Sequence, residues 1–386
     1  MTRILAAAIC IAALAGCDQR TRFATFNASL NRSQQGQLVK DLSTPSDKQA
    51  QNVAEIIQRV RPDVLLVNEF DFDPDGRAAE LFQSNYLSVP HNGAKPIRYE
   101  HCVVVATNTG MPSEYDLDND GTVTTRPGSR GYGGDCMGFG EFPGQYGFVI
   151  YSRFPVEDKS IRTYQEFLWR GLPGAMLPTK PDGSPWYSEQ ALAVLRLSSK
   201  NHVDVPISIG TTNVHVLASH PTPPAFDGPE DRNGKRNHDE IRFWSEYLAP
   251  DKPAPIAPFV IMGDLNADPN DGGSVPGAIQ QLLNHPRVNS GFVPNSDGAA
   301  ADSRLQAGAN LRHKTPPGTD TADFNDESGP GNLRCDYVLP SKDLRVVGGG
   351  VFWPAPSDPL HRLVEMKPVA SSDHRLVWLD VLVPQQ

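Results

Sequence analysis

The chain has no apolar run long enough to cross a bilayer. Ile4–Leu14, near the N-terminus, stops well short of the ~20 residues that a spanning helix needs. Basic residues are outnumbered: 35 Lys and Arg against 45 Asp and Glu leave a formal charge of −10. A surface that binds polyanions without sequence preference needs the opposite balance, because Lys and Arg must neutralise phosphates. A local basic pocket for one phosphate group is still compatible with that charge. Cysteine is sparse, five in 386 residues, and no zinc-type Cys/His spacing occurs. Internal repeats, blocks of like charge and a clean linker are also missing, which favours one domain with insertions over two. What is abundant is loop-forming residues, 33 glycines and 35 prolines, beside an apolar fraction of 39% that can build a large core.

The N-terminus reads as a processing segment. One positive charge in Met1–Arg3 precedes the apolar run, which closes on Leu14-Ala15-Gly16-Cys17. This resembles a bacterial lipoprotein lipobox. The resemblance implies a signal peptide over residues 1–16, cleavage before Cys17, lipid on its thiol and a single domain over 17–386. An ordinary secretory signal cleaved near Ala13–Ala15 is the alternative. Both readings export the protein to the cell envelope or periplasm. In enteric-type bacteria Asp18 after the lipidated cysteine implies retention at the inner membrane. Cys10 then lies in the discarded segment, leaving Cys102, Cys136 and Cys335. A Cys102–Cys136 disulfide is expected in an oxidising compartment, and Cys335 reads as an inert core thiol.

Apolar periodicity lays out strands and helices in alternation. Residues 22–29 read as a strand with Asn27 near its end. Val53, Ile56, Ile57 and Val60 form one face of a helix opened by Ser46 or Asp47 and stopped at Arg61-Pro62. Asp63–Val67 is an apolar strand ending in Asn68-Glu69, and 77–84 is a short helix. Residues 90–146 form a Gly/Pro-rich insertion around one strand, 101–106. Strand character returns at 146–152, 192–197, 203–209 and 212–219, the last ending at His220. A helix is expected at 238–248 and another at 277–284. Phe259–Gly263 is a strand whose glycine lets the backbone turn, so that Asp264 and Asn266 project. Residues 285–332 read as a long polar loop, followed by strands at 335–339, 344–352 and 376–383. The expected class is α/β, with polar residues collected at strand ends.

Those strand-end residues are Asn27, Glu69, His220, Asp264, Asn266, Asp336, Asp373 and His374. With their neighbours they form Phe26-Asn27, Asn68-Glu69, Gly263–Asn266, Cys335–Leu339 and Ser372–His374. The set, in this order, resembles the endonuclease/exonuclease/phosphatase superfamily. The resemblance implies a four-layer α/β sandwich, two mixed β-sheets face to face with helices outside, and hydrolysis of phosphate esters. It also implies roles. Glu69 would ligate Mg²⁺ or Mn²⁺, with Asn27 near the metal and Asp373 completing its shell. Asp264 would orient or deprotonate the attacking water, and Asn266 would hold a phosphate oxygen. His374, fixed by Asp336, would contact the phosphate or the leaving group. His220 would stabilise transition-state charge, with His215 as the rival. Hard oxygen ligands and a positioned carboxylate are what such chemistry requires.

Two acidic runs, Asp71–Gly76 and Asp116–Gly121, match the first half of a calcium loop. Phe82 and Pro127 stand where the closing Glu belongs, so both read as solvated turns, with a structural Ca²⁺ at Asp116–Asp120 as the lesser option. The leading reading is a monomeric, exported phosphoesterase, tethered to a membrane through Cys17 and acting on a small organophosphate, a lipid head group or nucleic acid. The alternative is a non-catalytic cell-envelope binding protein that keeps the fold.

Overall fold

Alternate residues of the first strand, β1 (Gln19–Leu30), enter two different cores: Phe23 packs into one, Ala24, Phe26 and Ala28 into another. Period-two burial on both faces is the mark of a central strand covered on both sides. The computed structural model describes residues 18–249 and 258–385, so Cys17 and the lipobox lie outside the described residues. The remaining strands are β2 (Val64–Phe70), β3 (His101–Val105), β4 (Phe148–Ser152), β5 (Arg162–Thr163), β6 (His202–Ile209), β7 (Thr212–Ser219), β8 (Phe259–Asp264), β9 (Ala322–Asp323), β10 (Asn332–Leu333), β11 (Asp336–Pro340), β12 (Arg345–Val351) and β13 (Val377–Val383). They form a six-stranded sheet in the order β12-β13-β1-β2-β4-β3 and a five-stranded sheet in the order β11-β8-β7-β6-β5. A two-stranded ribbon pairs β9 with β10.

The sheets pack face to face. Val64, Leu66, Phe148 and Ile150 of the first meet Val205, Val214, Val216, Val260 and Met262 of the second in one apolar layer. On the outer face of the six-stranded sheet lie α1 (Gln37–Leu42), α2 (Lys48–Val60) and α3 (Arg77–Phe82). Beyond the five-stranded sheet, past the short α4 (Glu189–Leu192), come α5 (Arg232–Tyr247) and α6 (Gln280–Leu283), with Ile241, Trp244 and Leu282 over Leu217, Phe259 and Ile261. This is the expected four-layer sandwich. Local chemistry explains α2 well. Asp47 accepts the Ala50 N–H at 2.8 Å as N-cap, and Arg61 ends the helix in the left-handed region just before Pro62. Val53, Ile56, Ile57 and Val60 are buried, each contributing about 1.5–3 kcal/mol.

Several expectations are corrected. The strand expected at 192–197 is the tail of α4 and a turn; Ser188 caps that helix through the Ala191 N–H, and Leu195 and Leu197 are buried by loop packing. Helix α5 begins at Arg232, six residues before the apolar pattern starts, because its first turns bury polar side chains rather than apolar ones. Helix α6 is shorter than expected. The long loop at 285–332 contains α7 (Asp297–Gln306) and the β9–β10 ribbon. Cys102 and Cys136 are free thiols: Cys102 sits on β3 opposite Tyr151, while buried Cys136 donates to the Tyr132 carbonyl. Burial pushes the Cys136 thiol up to about 12 and the Cys335 thiol well above its ordinary value, so both are inert at neutral pH. Among the described residues, no helix is long and apolar enough to cross a membrane.

Candidate active site

The topology gathers the strand ends. β1 runs parallel to β2 and β7 parallel to β8, so each pair delivers its C-terminal polar residues to the same edge. Asn27 is level with Asn68, next to Glu69, and antiparallel pairing sets Asp336 opposite Asp264. Gly263 has a different role from the one its place in the sequence suggests. It lies inside β8, and a Cβ there would come 2.0 Å from the Ser219 carbonyl oxygen, so close approach of β7 demands glycine. The turning is done instead by Ser29, Glu69 and Asn266, whose φ angles of 48°, 54° and 52° put non-glycine residues in the left-handed region. Residues held in this region persist where the surroundings over-determine them.

Asp264 is the hub. Its Oδ1 accepts the Asn266 N–H at 3.0 Å, and its Oδ2 accepts Asn27 Nδ2 at 3.0 Å. The same Oδ2 lies 3.4 Å from His220 Nε2 and 3.6 Å from His374 Nε2. Burial raises the Asp264 carboxyl to about 6, opposed by the positive His374 and assisted by the neighbouring Asp336. His374 Nδ1 donates to Asp336 Oδ2 at 2.9 Å, and Thr321 Oγ1 donates to the same oxygen at 2.8 Å. Burial pulls the His374 imidazole down, but Asp336 and Asp264 outweigh it and hold the ring well above its ordinary value. His220 differs: burial, then Lys200 and His374, keep it well below the ordinary value, and its Nδ1 has no partner among the described residues. Two histidines beside one carboxylate thus carry different charges near neutral pH, one cationic and one neutral.

The donor set fits a hard divalent cation. Glu69 Oε1 accepts from Asn27 and Oε2 from Asn31 at 2.8 Å; Asp264, Asp336 and His374 bring ligand atoms within 4.8 Å of one another; and Asp373 lines the same cavity. Burial raises Glu69, and Asp373 and Asp264 push it further. Carboxylates crowded this way are costly without a cation between them. Asn27 presents its amide nitrogen to Glu69 and Asp264, so here it is a donor bridging two carboxylates. His215, the rival histidine, is turned away and donates to Asp204 at 2.6 Å within the β6–β7 pair.

A family model for the Endonuclease/Exonuclease/phosphatase family matches residues 24–374. The chain belongs to the endonuclease/exonuclease/phosphatase family. No curated protein matches the chain. Among solved structures, an endonuclease/exonuclease/phosphatase from Beutenbergia cavernae is similar at 18% identity and a TM-score of 0.49, with 94% of this chain and 72% of that one covered. A sphingomyelinase C from Streptomyces griseocarneus has 14% identity and a TM-score of 0.46 over 94% and 99% of the two chains. A Staphylococcus aureus beta toxin mutant with bound magnesium ions has 14% identity and a TM-score of 0.44 over 95% and 100%. At these values the likenesses carry no argument about chemistry.

Above the edge opens a cavity of about 1370 Å³, lined by Glu69, Lys200, His220, Asp264, Asn266, Asp373 and His374 at its base and by aromatic side chains such as Tyr132, Tyr187 and Phe226 on its walls. The structure thus brings the eight singled-out residues together, Asn27 and Asp336 standing just behind this surface. It adds residues that the motifs do not reveal. Asn31 and Thr321 orient Glu69 and Asp336 from loops, and Lys200 comes from the segment before β6, where only a lone basic residue beside a strand gives a signal. Of the acidic runs, Asp71–Gly76 is a capping turn: Asp71 accepts the Arg32 and Tyr146 N–H groups, and Asp73 accepts that of Ala78. In the second run the carboxylates of Asp116, Asp118 and Asp120 converge within 4.8 Å while also holding the turn through the Gly121, Asp120 and Thr122 N–H groups.

Proposed function

We infer that this chain is a metal-dependent phosphoesterase whose water-handling base is Asp264. The observation that carries the reading is the convergence of His220, His374 and Asn27 on one oxygen of a buried Asp264. A carboxyl held near 6 is ionised at neutral pH yet basic enough to take a proton from water. In the step that follows, a water oxygen attacks phosphorus, its proton passes to Asp264, and the ester P–O bond breaks. The leaving oxygen takes a proton from His374, which Asp336 keeps charged and aimed. Neutral His220 and the Asn266 amide hold the phosphoryl oxygens. Glu69 and Asp373, with Asn27 behind them, would hold Mg²⁺ or Mn²⁺, which supplies charge neutralisation when bound.

The cavity favours a small or medium-sized organic phosphate ester over a duplex. It is walled and partly apolar, and the net charge of −10 supplies no field to draw a polyanion. The test is hydrolysis of p-nitrophenyl phosphate, bis-p-nitrophenyl phosphate, sphingomyelin and plasmid DNA with Mg²⁺ or Mn²⁺. Activity on the nitrophenyl esters that EDTA abolishes is expected; inactivity on all four would overturn the reading. We also propose export with a lipid on Cys17. β1 starts only two residues later, so the domain would stand against the membrane surface. Cys17→Ala should move the protein from the membrane to the soluble fraction, and an unchanged distribution would contradict this.

A further inference from the structure

Lys200 is a buried, cavity-lining ionisable residue that the mechanism above leaves unused. It is 6% exposed, it lines the cavity beside Glu69, His220 and Asp264, and its Nζ makes no hydrogen bond or ion pair with any described residue. Burial lowers the Lys200 ammonium from its ordinary value, while the charges of Glu240, Glu69 and Asp264 act through space to retain it, so the group faces the cavity without a hydrogen-bonded anion. Glu240, the carboxylate with the largest pull on Lys200, reaches it through space and not through a hydrogen bond. Both oxygens of Glu240 are engaged, one by the Ser199 N–H and hydroxyl at 2.6 and 3.0 Å, the other by the Thr222 N–H at 2.6 Å.

The segment carrying Lys200 is held in place at almost every other polar atom. The Lys200 carbonyl accepts the Asn108 N–H at 2.9 Å, and Asn108 Nδ2 donates to the Ser198 carbonyl at 2.8 Å. Asn201 donates to the Ala106 carbonyl at 2.9 Å. His202 is pinned between the Ser198 hydroxyl and the Glu240 carbonyl, at 2.9 and 2.8 Å. On the far side, a Cβ on Gly138 would come 2.0 Å from the Ser199 carbonyl oxygen, so the insertion lies flush against this backbone. A backbone fixed this tightly, bearing a cavity-facing ammonium that makes no hydrogen bond to a described residue, is preorganised for a ligand anion.

We propose that Lys200 is a substrate-binding residue that pairs with a non-bridging oxygen of the phosphoryl group. The proposal rests on the phosphoesterase reading for its ligand and on the unpaired, cavity-lining ammonium for its place. Lys200 adds a positive charge beside Glu69, His220 and Asp264, and its four-carbon stem lets it follow the oxygen as the phosphorus changes geometry.

The probe is inorganic phosphate, titrated calorimetrically into the purified full chain in Mg²⁺, with K200M, K200Q and K200R alongside. Removing a charge-assisted contact should weaken phosphate binding about ten- to a hundredfold in K200M and K200Q, and K200R should recover most of it. The KM for p-nitrophenyl phosphate should rise with the phosphate constant. K200M should lose the rise in melting temperature that phosphate gives the native chain. Phosphate binding unchanged in K200Q, equal loss in K200R and K200Q, or no phosphate binding by the native protein would each overturn the proposal. If the native chain hydrolyses no ester but binds phosphate through Lys200, the phosphoesterase reading fails and the anion site stands. If hydrolysis is intact and K200Q binds phosphate normally, the reverse holds.

Discussion

Asp336→Asn puts the His374–Asp336 pair to the test with a change of one atom. In the native site Asp336 Oδ2 accepts both the Thr321 hydroxyl and the His374 Nδ1–H, at 2.8 and 2.9 Å. The Thr321 oxygen also accepts the Cys335 and Asp336 N–H groups, so its proton is committed to residue 336. An asparagine can offer its oxygen to both donors but brings no charge, or it can turn its amide toward Nδ1 and force the ring into the opposite tautomer. Either way His374 loses the partner that holds its proton. A hydrogen bond to a charged group contributes about 1.5–3 kcal/mol, and a misplaced tautomer costs more, so kcat/KM should fall roughly 10²–10⁴-fold. The stability change has a sign that can be worked out. His374 is raised above its unfolded value, so its contribution is complete below the unfolded value of about 6.5 and is lost as pH rises through the folded value. The stability deficit of Asp336→Asn should therefore be largest at mildly acid pH and shrink as pH climbs. Kinetics on bis-p-nitrophenyl phosphate and urea unfolding, followed upward from a pH below the unfolded value of about 6.5, supply the readouts. A folded variant within twofold of native kcat/KM would refute the pair and leave Asp336 as a turn-holding carboxylate.

Three further outcomes are expected. Gly263→Ala forces a methyl to 2.0 Å from the Ser219 carbonyl, so β7 and β8 must separate; a loss of about 1–3 kcal/mol in urea unfolding is expected, and native stability would show that the strands have slack. Asn27→Ala removes the donor shared by Glu69 and Asp264, and should raise the Mg²⁺ concentration needed for half-maximal activity about 10–100-fold; no shift would detach Asn27 from the metal. Asp320 is buried, and burial with the Asp268 and Asp271 carboxylates raises it to about 8. Its ionisation therefore destabilises the fold progressively as pH rises from about 4, the unfolded value, toward 8. Asp320→Asn should flatten that decline in unfolding free energy; a slope identical to the native one would contradict it.

The elements that carry the site were the most legible part of the sequence. β2, β7 and β8 carry apolar runs with polar residues at or near their C-terminal ends, and β11 is an apolar run opened by Asp336; buried strands show such runs without help from context. The rest failed for identifiable reasons. The first turns of α5 bury Arg236 and Asn237, which donate to backbone carbonyls including those of Leu197 and Leu265, so apolar periodicity cannot see them. In α7 the buried face includes Asp302, which accepts the Trp353 indole at 2.5 Å, and the segment reads as polar loop. Gly263 looked like a turn residue because clearance from a neighbouring strand leaves no trace in local sequence. Lys200 shows the same limit: its burial at the cavity base, beside Glu69 and Asp264 yet hydrogen-bonded to neither, is a property of the folded chain alone.

The central claim is that Asp264 handles the attacking water beside a bound divalent cation. The most direct measurement is hydrolysis of bis-p-nitrophenyl phosphate by the native protein and by Asp264→Asn, each with Mg²⁺ or Mn²⁺ and with EDTA. Asparagine keeps the shape and removes the base, so the account predicts a folded variant slower by roughly 10²–10⁴-fold and native activity that disappears in EDTA. Activity that survives both EDTA and Asp264→Asn would contradict it.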